Sequence, residues 1–323
     1  MKELMEVLSK VSRRKPFLGL STSPGVEVGE VRIEGEMGQC DPFPSFAYLD
    51  SSSRVITVRG ANVYMASLYV NTGRGHIAIP LETPVPFMAV KASDQVVQEI
   101  ESSLPHLVRT RNVNGVPYLE DYKDDNVLDE LRISLENYAI NSQDLTVVDG
   151  PIYPGPFLGM VSEPYRSAFE TLITQRRVDR LVGVVKRLNM SRKLSRLLGI
   201  EGTDDVVVME LGKGRDVYVT PVLREDYRLS DRTLPRYMAY VKVGDSPFRV
   251  ESADPSLLCG GVVTALRHPS YRGIPSFIEA ADRLSRRLSA ATFLISFTYA
   301  REMVGVNYDD WNRLREANLD LAE

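Results

Sequence analysis

Between residues 46 and 149 the chain interleaves β-rich runs with one strongly amphipathic helix, and two of the runs end on an aspartate. FAYLD (46–50) reads as a strand ending on Asp50. SSSR follows, and VITVRG and VYMASLYV, rich in β-branched and aromatic residues, read as further strands. PFMAV (86–90) reads as another strand, and SDQVVQEIESSL (93–104) as a helix with Ser93 at its N-cap. In DDNVLDELRISLENYAI (124–140), Val127, Leu128, Leu131, Leu135 and Tyr138 form one apolar stripe. LTVVD (145–149) then makes a short strand ending on Asp149, stopped by Gly150 and two prolines.

The second half continues the alternation. Residues 163–176 read as helix, VDRLVGVVKRL contains a buried strand, and SRKLSRLLG a short basic helix ended by Gly199. DVVVMEL, DVYVTPVL and RYMAYVKV predict a strand meander between about 205 and 243, with FRVES (248–252) adding a strand. A long helix starts near Pro275 and runs through SFIEAADRLSRRLSAATFLISFTYAREM. Residues 2–12 have helical apolar spacing, suited to docking a partner or to packing at home, and 15–44 read as irregular. There is no internal repeat, low-complexity segment or evident linker, so one domain over 1–323 is expected. Within it lie an N-terminal helix and irregular segment (1–44), the first part of the core (45–150), the rest of the core (151–303) with a β-rich insertion at about 205–252, and a tail (304–323).

The order of the acids suggests a chemistry. An acid on a first strand, an antiparallel meander, an acid on the next helix and an acid on a fourth strand is the order of an RNase H-like α/β core. Two-metal phosphodiester hydrolysis holds two divalent ions about 3.5–4 Å apart. Magnesium and manganese prefer carboxylate oxygens and water, so several acids must converge from different elements. The helix offers Glu130 and Glu136, which lie six apart and do not share a face. An Asp-Gly turn is the plainer account of Asp149.

Composition sets the bounds. A net charge of −4 gives no global basic field, so contact with nucleic acid needs a local patch. Residues 176–199 supply one: eight Lys/Arg (Arg176, Arg177, Arg180, Lys186, Arg187, Arg192, Lys193, Arg196) against a single acid, Asp179. A solvated helix face is the competing account of that stretch. The two cysteines, Cys40 and Cys259, lie far apart, and three unclustered histidines make a zinc site improbable. No signal peptide, membrane-length apolar run, P-loop or G-x-S-x-G is present. A cytoplasmic home is expected, and the scarcity of Gln and Cys leans towards a thermophilic source.

Taken together, five stretches in order resemble the NurA family of archaeal and bacterial nucleases, over about residues 45–290. LDSSSR matches the family's Asp-Gly-Ser-type motif, with Asp50 kept and Ser51 in place of Gly. The 124–140 helix precedes VVDG, LVGVVKRLNMSRKLSRLL matches a strand followed by a basic helix, and FRVE matches a late strand. RGIPSFIEAAD matches a turn leading into a helix that carries a further site residue, here Asp282, with Ile274 where the family often has Tyr and PIYP replacing the usual Ser-Leu.

The resemblance implies a manganese-dependent nuclease, with magnesium as the alternative ion. It implies 5′-to-3′ exonuclease and single-strand endonuclease action on single- and double-stranded DNA, and a homodimer working with a HerA-type hexameric ATPase in end resection and recombinational repair. It makes Asp50, Asp149 and Asp282 metal ligands, with a helical glutamate completing the site. Glu130 is favoured as the earlier residue in its helix, and Glu136, preceded by Arg132, stays open. Lys186 beside a strand end would meet the scissile phosphate. Arg176, Arg177, Lys186, Arg187, Arg192, Lys193 and Arg196 would bind DNA. The altered Ser51 and Ile274 leave one alternative: a catalytically silent relative that binds DNA or scaffolds a motor.

Overall fold

A computed structural model describes residues 2, 4–7, 29–82, 85–104, 107–119, 122–154 and 161–322. The chain divides into two compact units: Met1–Pro44, Gly150–Ile152 and Leu181–Ser276 form the first, and Ser45–Asp149, Tyr153–Arg180 and Phe277–Glu323 the second. Residues 4–7 are helical, and the rest of the predicted N-terminal helix, apart from Lys2, lies outside the described residues.

The first unit is an antiparallel sheet in the order β1 (Val31–Gly35), β10 (Val222–Leu229), β11 (Arg232–Val243), β12 (Ser246–Ser252) and β8 (Leu181–Val185), with β9 (Val217–Val219) also paired to β11. Helices α4 (Lys193–Leu198), α5 (Asp204–Leu211) and α6 (Pro255–Arg267) belong to it. Asp254 caps α6 by accepting from the amides of Ser256 and Leu257. Leu188, Leu194, Val207, Val208, Leu223, Met238 and Tyr240 pack one core. Gly183 on β8 is required by close approach, since a Cβ there would lie 2.5 Å from the Gly150 carbonyl. Cys40 and Cys259 form a disulfide.

One prediction fails in this unit. DVVVMEL is not a strand of the meander but α5. Its three consecutive valines favour a strand locally. The segment instead enters from Thr203 at the N-cap, carries Asp204 and Asp205 in its first turn and stops at Gly212. Val207 and Val208, both buried in the core, make the helix worth forming.

The second unit holds a mixed sheet: β7 (Thr146–Asp149), β2 (Ala47–Val58), β3 (Ala61–Asn71), β5 (Met88–Ala92) and β6 (Val108–Arg109), with β4 (His76–Ile79) on β3. β2 is parallel to β7 and antiparallel to β3. Helices α1 (Asp94–Ser103), α2 (Asp124–Ser142), α3 (Tyr165–Gln175), α7 (Ser276–Met303, from Phe277 on) and α8 (Tyr308–Ala322) belong to this unit. The two apolar runs after Asp50 are a hairpin joined at Gly60, whose φ of 81° only glycine adopts freely.

The first strand does not end on Asp50. β2 continues through Ser51, Ser52 and Ser53, which pair with Leu68, Ser67 and Ala66 on β3. Small hydroxylated side chains fit a half-buried pleat, so the serines that read as a break are ladder residues. The tail past 303 is also structured. α8 packs Ala317 with Ile56, Met65, Ala290, Phe293 and Phe297. Among the described residues, no helix is long and apolar enough to cross a membrane.

Candidate metal centre

The parallel β2–β7 ladder pairs Leu49 with Val148, so Asp50 and Asp149 follow side by side on neighbouring strands, at one level of the sheet. α7 brings the third acid. Ser285, buried one turn after Asp282, donates from Oγ to Asp50 Oδ2 at 2.6 Å and to the Asp282 carbonyl at 3.0 Å, fixing the helix to the strand. Asp50, Asp149 and Asp282 each offer one carboxylate oxygen, all within 4.8 Å of one another.

Crowding has an electrostatic cost. Burial pushes the Asp50 carboxyl up to about 8, the negative charges of Asp149, Asp282 and Glu136 push the same way, and the Ser285 hydrogen bond opposes them. Three acid oxygens at this separation, one of them buried, suit a hard divalent cation, which would remove the repulsion and replace the proton. The donor set therefore fits the ion that the residue pattern calls for.

The two helical glutamates separate cleanly. Glu136 Oε1 accepts from Ser51 Oγ at 2.6 Å, and Oε2 accepts from Arg176 Nη1 at 3.0 Å. Arg132 Nε also donates to Ser51 Oγ at 3.3 Å. This carboxylate lies beside the triad, close enough to raise Asp50. Glu130 is fully buried elsewhere: its carboxylate accepts from the hydroxyls of Tyr118 and Tyr122, and burial pushes it up to about 7. The preference for Glu130 rested on its early place in the helix. The turn of α2 bonded to Ser51, next to Asp50, is a later one, and it carries Glu136.

The basic stretch is only partly a surface. Arg176 is wholly buried, paired to Glu136, and burial lowers its pKa. Lys193 is buried in the first unit, with Nζ at 2.6 Å from Glu225. Neither side chain is presented to a DNA backbone, which corrects the expectation for both. A Lys/Arg count cannot tell an internal counter-ion from a surface one. Arg187 and Arg196 are exposed, while Arg177, Lys186 and Arg192 are partly so. Lys186 follows β8 in the first unit.

Sequence reasoning missed Ser285, Ser51 as a donor and Arg176 as the partner of Glu136. Ser285 had a usable signal: it lies three residues after Asp282, on the same helical face.

All of these acids fall inside residues 44–287, which match the NurA domain family model. The chain belongs to the NurA family. Solved structures similar to it include the NurA nuclease from Sulfolobus solfataricus, at 11% identity over 84% of this chain and 88% of that one, with a TM-score of 0.46. A NurA structure with manganese follows at 9% identity, 88% and 94% coverage and a TM-score of 0.42. An endonuclease V from Streptomyces avermitilis shares 14% identity over 81% and 88%, with a TM-score of 0.32. No curated protein matches the chain.

Proposed function

We propose that this NurA-family chain is a metal-dependent DNA nuclease that hydrolyses phosphodiester bonds by a two-metal carboxylate mechanism. The observation that carries the reading is the convergence of Asp50, Asp149 and Asp282 from two parallel strands and a helix, with Glu136 alongside. Asp50, Asp149 and Asp282 would hold the ions, Asp50 being the most enclosed, and Glu136 would complete the set. When bound, divalent manganese or magnesium supplies Lewis-acid activation of water and stabilisation of the leaving oxygen. Ser285 orients Asp50, and Ser51 with Arg176 holds both oxygens of Glu136. The strand order β7-β2-β3-β5, with the acids on β2 and β7, supports an RNase H-like core.

The finer reading follows the family: manganese as the ion, 5′-to-3′ exonuclease and single-strand endonuclease action, homodimerisation, and work with a HerA-type translocase on DNA ends in the cytoplasm. The silent-scaffold alternative was motivated by Ser51 and Ile274, and the structure bears on Ser51. That side chain donates to Glu136, which supports an intact site.

The test is cleavage of 5′- and 3′-labelled single- and double-stranded DNA with manganese, magnesium or EDTA. Metal-dependent cutting is expected, lost in Asp149→Ala and reduced about 100-fold or more in Glu136→Gln. Glu130→Gln should stay within a few-fold of wild type, because its carboxylate serves two tyrosines. Absence of cutting by wild type, with a hexameric motor partner added, would overturn the enzyme reading.

A further inference from the structure

On α2, Ser134, Asn137, Tyr138 and Asn141 recur at i, i+3, i+4 and i+7 and so share a face. That face, the segment 109–113, and Leu172 and Gln175 of α3 line a cavity of about 460 Å³. No carboxylate lines it, although the chain has 43 acids against 39 Lys/Arg. Two guanidiniums do, those of Arg109 and Arg111, together with four carboxamides. The volume falls in the range of small-molecule sites.

The walls are fixed. Asn137 Nδ2 donates to the Leu172 carbonyl at 2.8 Å, Asn141 Nδ2 donates to the Gln175 carbonyl at 3.0 Å, and Arg109 Nη1 donates to Ser134 Oγ at 2.9 Å. Arg111 Nε donates to Glu101 at 2.8 Å in an exposed pair, and its Nη1 donates to the Gly115 carbonyl at 3.4 Å. These bonds leave most of the donors of both guanidiniums for an anion, which such forks bind in bidentate fashion. The Tyr138 ring, Val113 and Leu172 supply the apolar part.

We propose that this cavity binds a nucleoside monophosphate unit, with the phosphate on Arg109 and Arg111 and the base against Tyr138 and the Gln175 carboxamide. The proposal rests on the nuclease reading only for the source of that unit, a strand end or a released product. The cavity touches the acid site mechanically. Asn137 follows Glu136 in α2, and one buried guanidinium, Arg176, donates to both, at 3.3 and 3.0 Å.

The experiment is calorimetric titration of the full chain in EDTA with thymidine monophosphate, a 5′-phosphorylated thymidine dodecamer and inorganic phosphate, beside Arg109→Gln, Gln175→Glu and Asp149→Ala. Thymidine monophosphate should bind without metal, bind at least 10-fold more weakly to Arg109→Gln and Gln175→Glu, and bind Asp149→Ala as it binds wild type. Gln175 is exposed, so its variant tests charge without threatening the fold. Tighter binding of the phosphorylated strand assigns the cavity to a strand end, and tighter binding of the monophosphate to a product. Both keep the nucleotide assignment. No binding, equal binding by the cavity variants, loss in Asp149→Ala, or inorganic phosphate binding as tightly as the nucleotide would overturn it. A protein that binds in EDTA yet never cuts DNA would sink the nuclease reading alone.

Discussion

Asp50 concentrates the electrostatic tension of the molecule. Its carboxyl stands near 8 in the folded, metal-free protein, against about 4 for an aspartate in water. The folded chain therefore keeps a proton that the unfolded chain gives up as pH rises. The stability this group contributes is complete below about pH 4 and is lost as pH climbs through 8. Melting of the metal-free protein should show the midpoint falling between those limits, and Asp50→Asn should flatten the fall. Manganese replaces the proton, so its stabilising shift should be larger at pH 8 than at pH 5.5. An equal shift at both pH values would mean that the ion does not engage Asp50.

Among the elements, those with a strong period were legible and those whose role depends on tertiary partners were not. α2 and the 28-residue α7 stood out because apolar stripes recur along them. β2 was cut short because three serines mimic a turn. α5 read as a strand because valine favours strands until a core claims it as helix. At the site, Asp50 and Asp149 could be named from their positions and Asp282 from the family resemblance, while the choice between Glu130 and Glu136 depended on where α2 crosses β2, which no local pattern records. α8 was unread, although Trp311, Leu314, Ala317 and Leu321 lie at helical spacing. It is held in part by Asp310, a buried carboxylate that accepts from the Thr57 amide at 3.3 Å and the Asn307 amide at 3.3 Å and pairs with Arg313 at 2.7 Å. Asp310→Ala would strand those donors and should cost roughly 1–3 kcal/mol in chemical denaturation. A change below a few tenths would show that the helix is held by Ala317 and its neighbours alone.

For the whole molecule, the unread feature is the disulfide. Cys40 and Cys259 are 219 residues apart, and nothing in their spacing announces a bond. Across that separation the chain leaves the first unit for much of the second and returns to α6, so the bridge closes a loop around most of the fold. By the chain-entropy account, such a loop restricts the unfolded ensemble by about 5 kcal/mol. A reductant should therefore lower the melting temperature clearly, and Cys259→Ser should reproduce the loss and make the protein insensitive to reductant. The acids of the metal site all belong to the second unit, whereas both cysteines belong to the first. Manganese should thus still raise the melting temperature of the reduced protein. If reduction also abolished that rise, the disulfide would be holding the acid site together and not only restricting the unfolded chain.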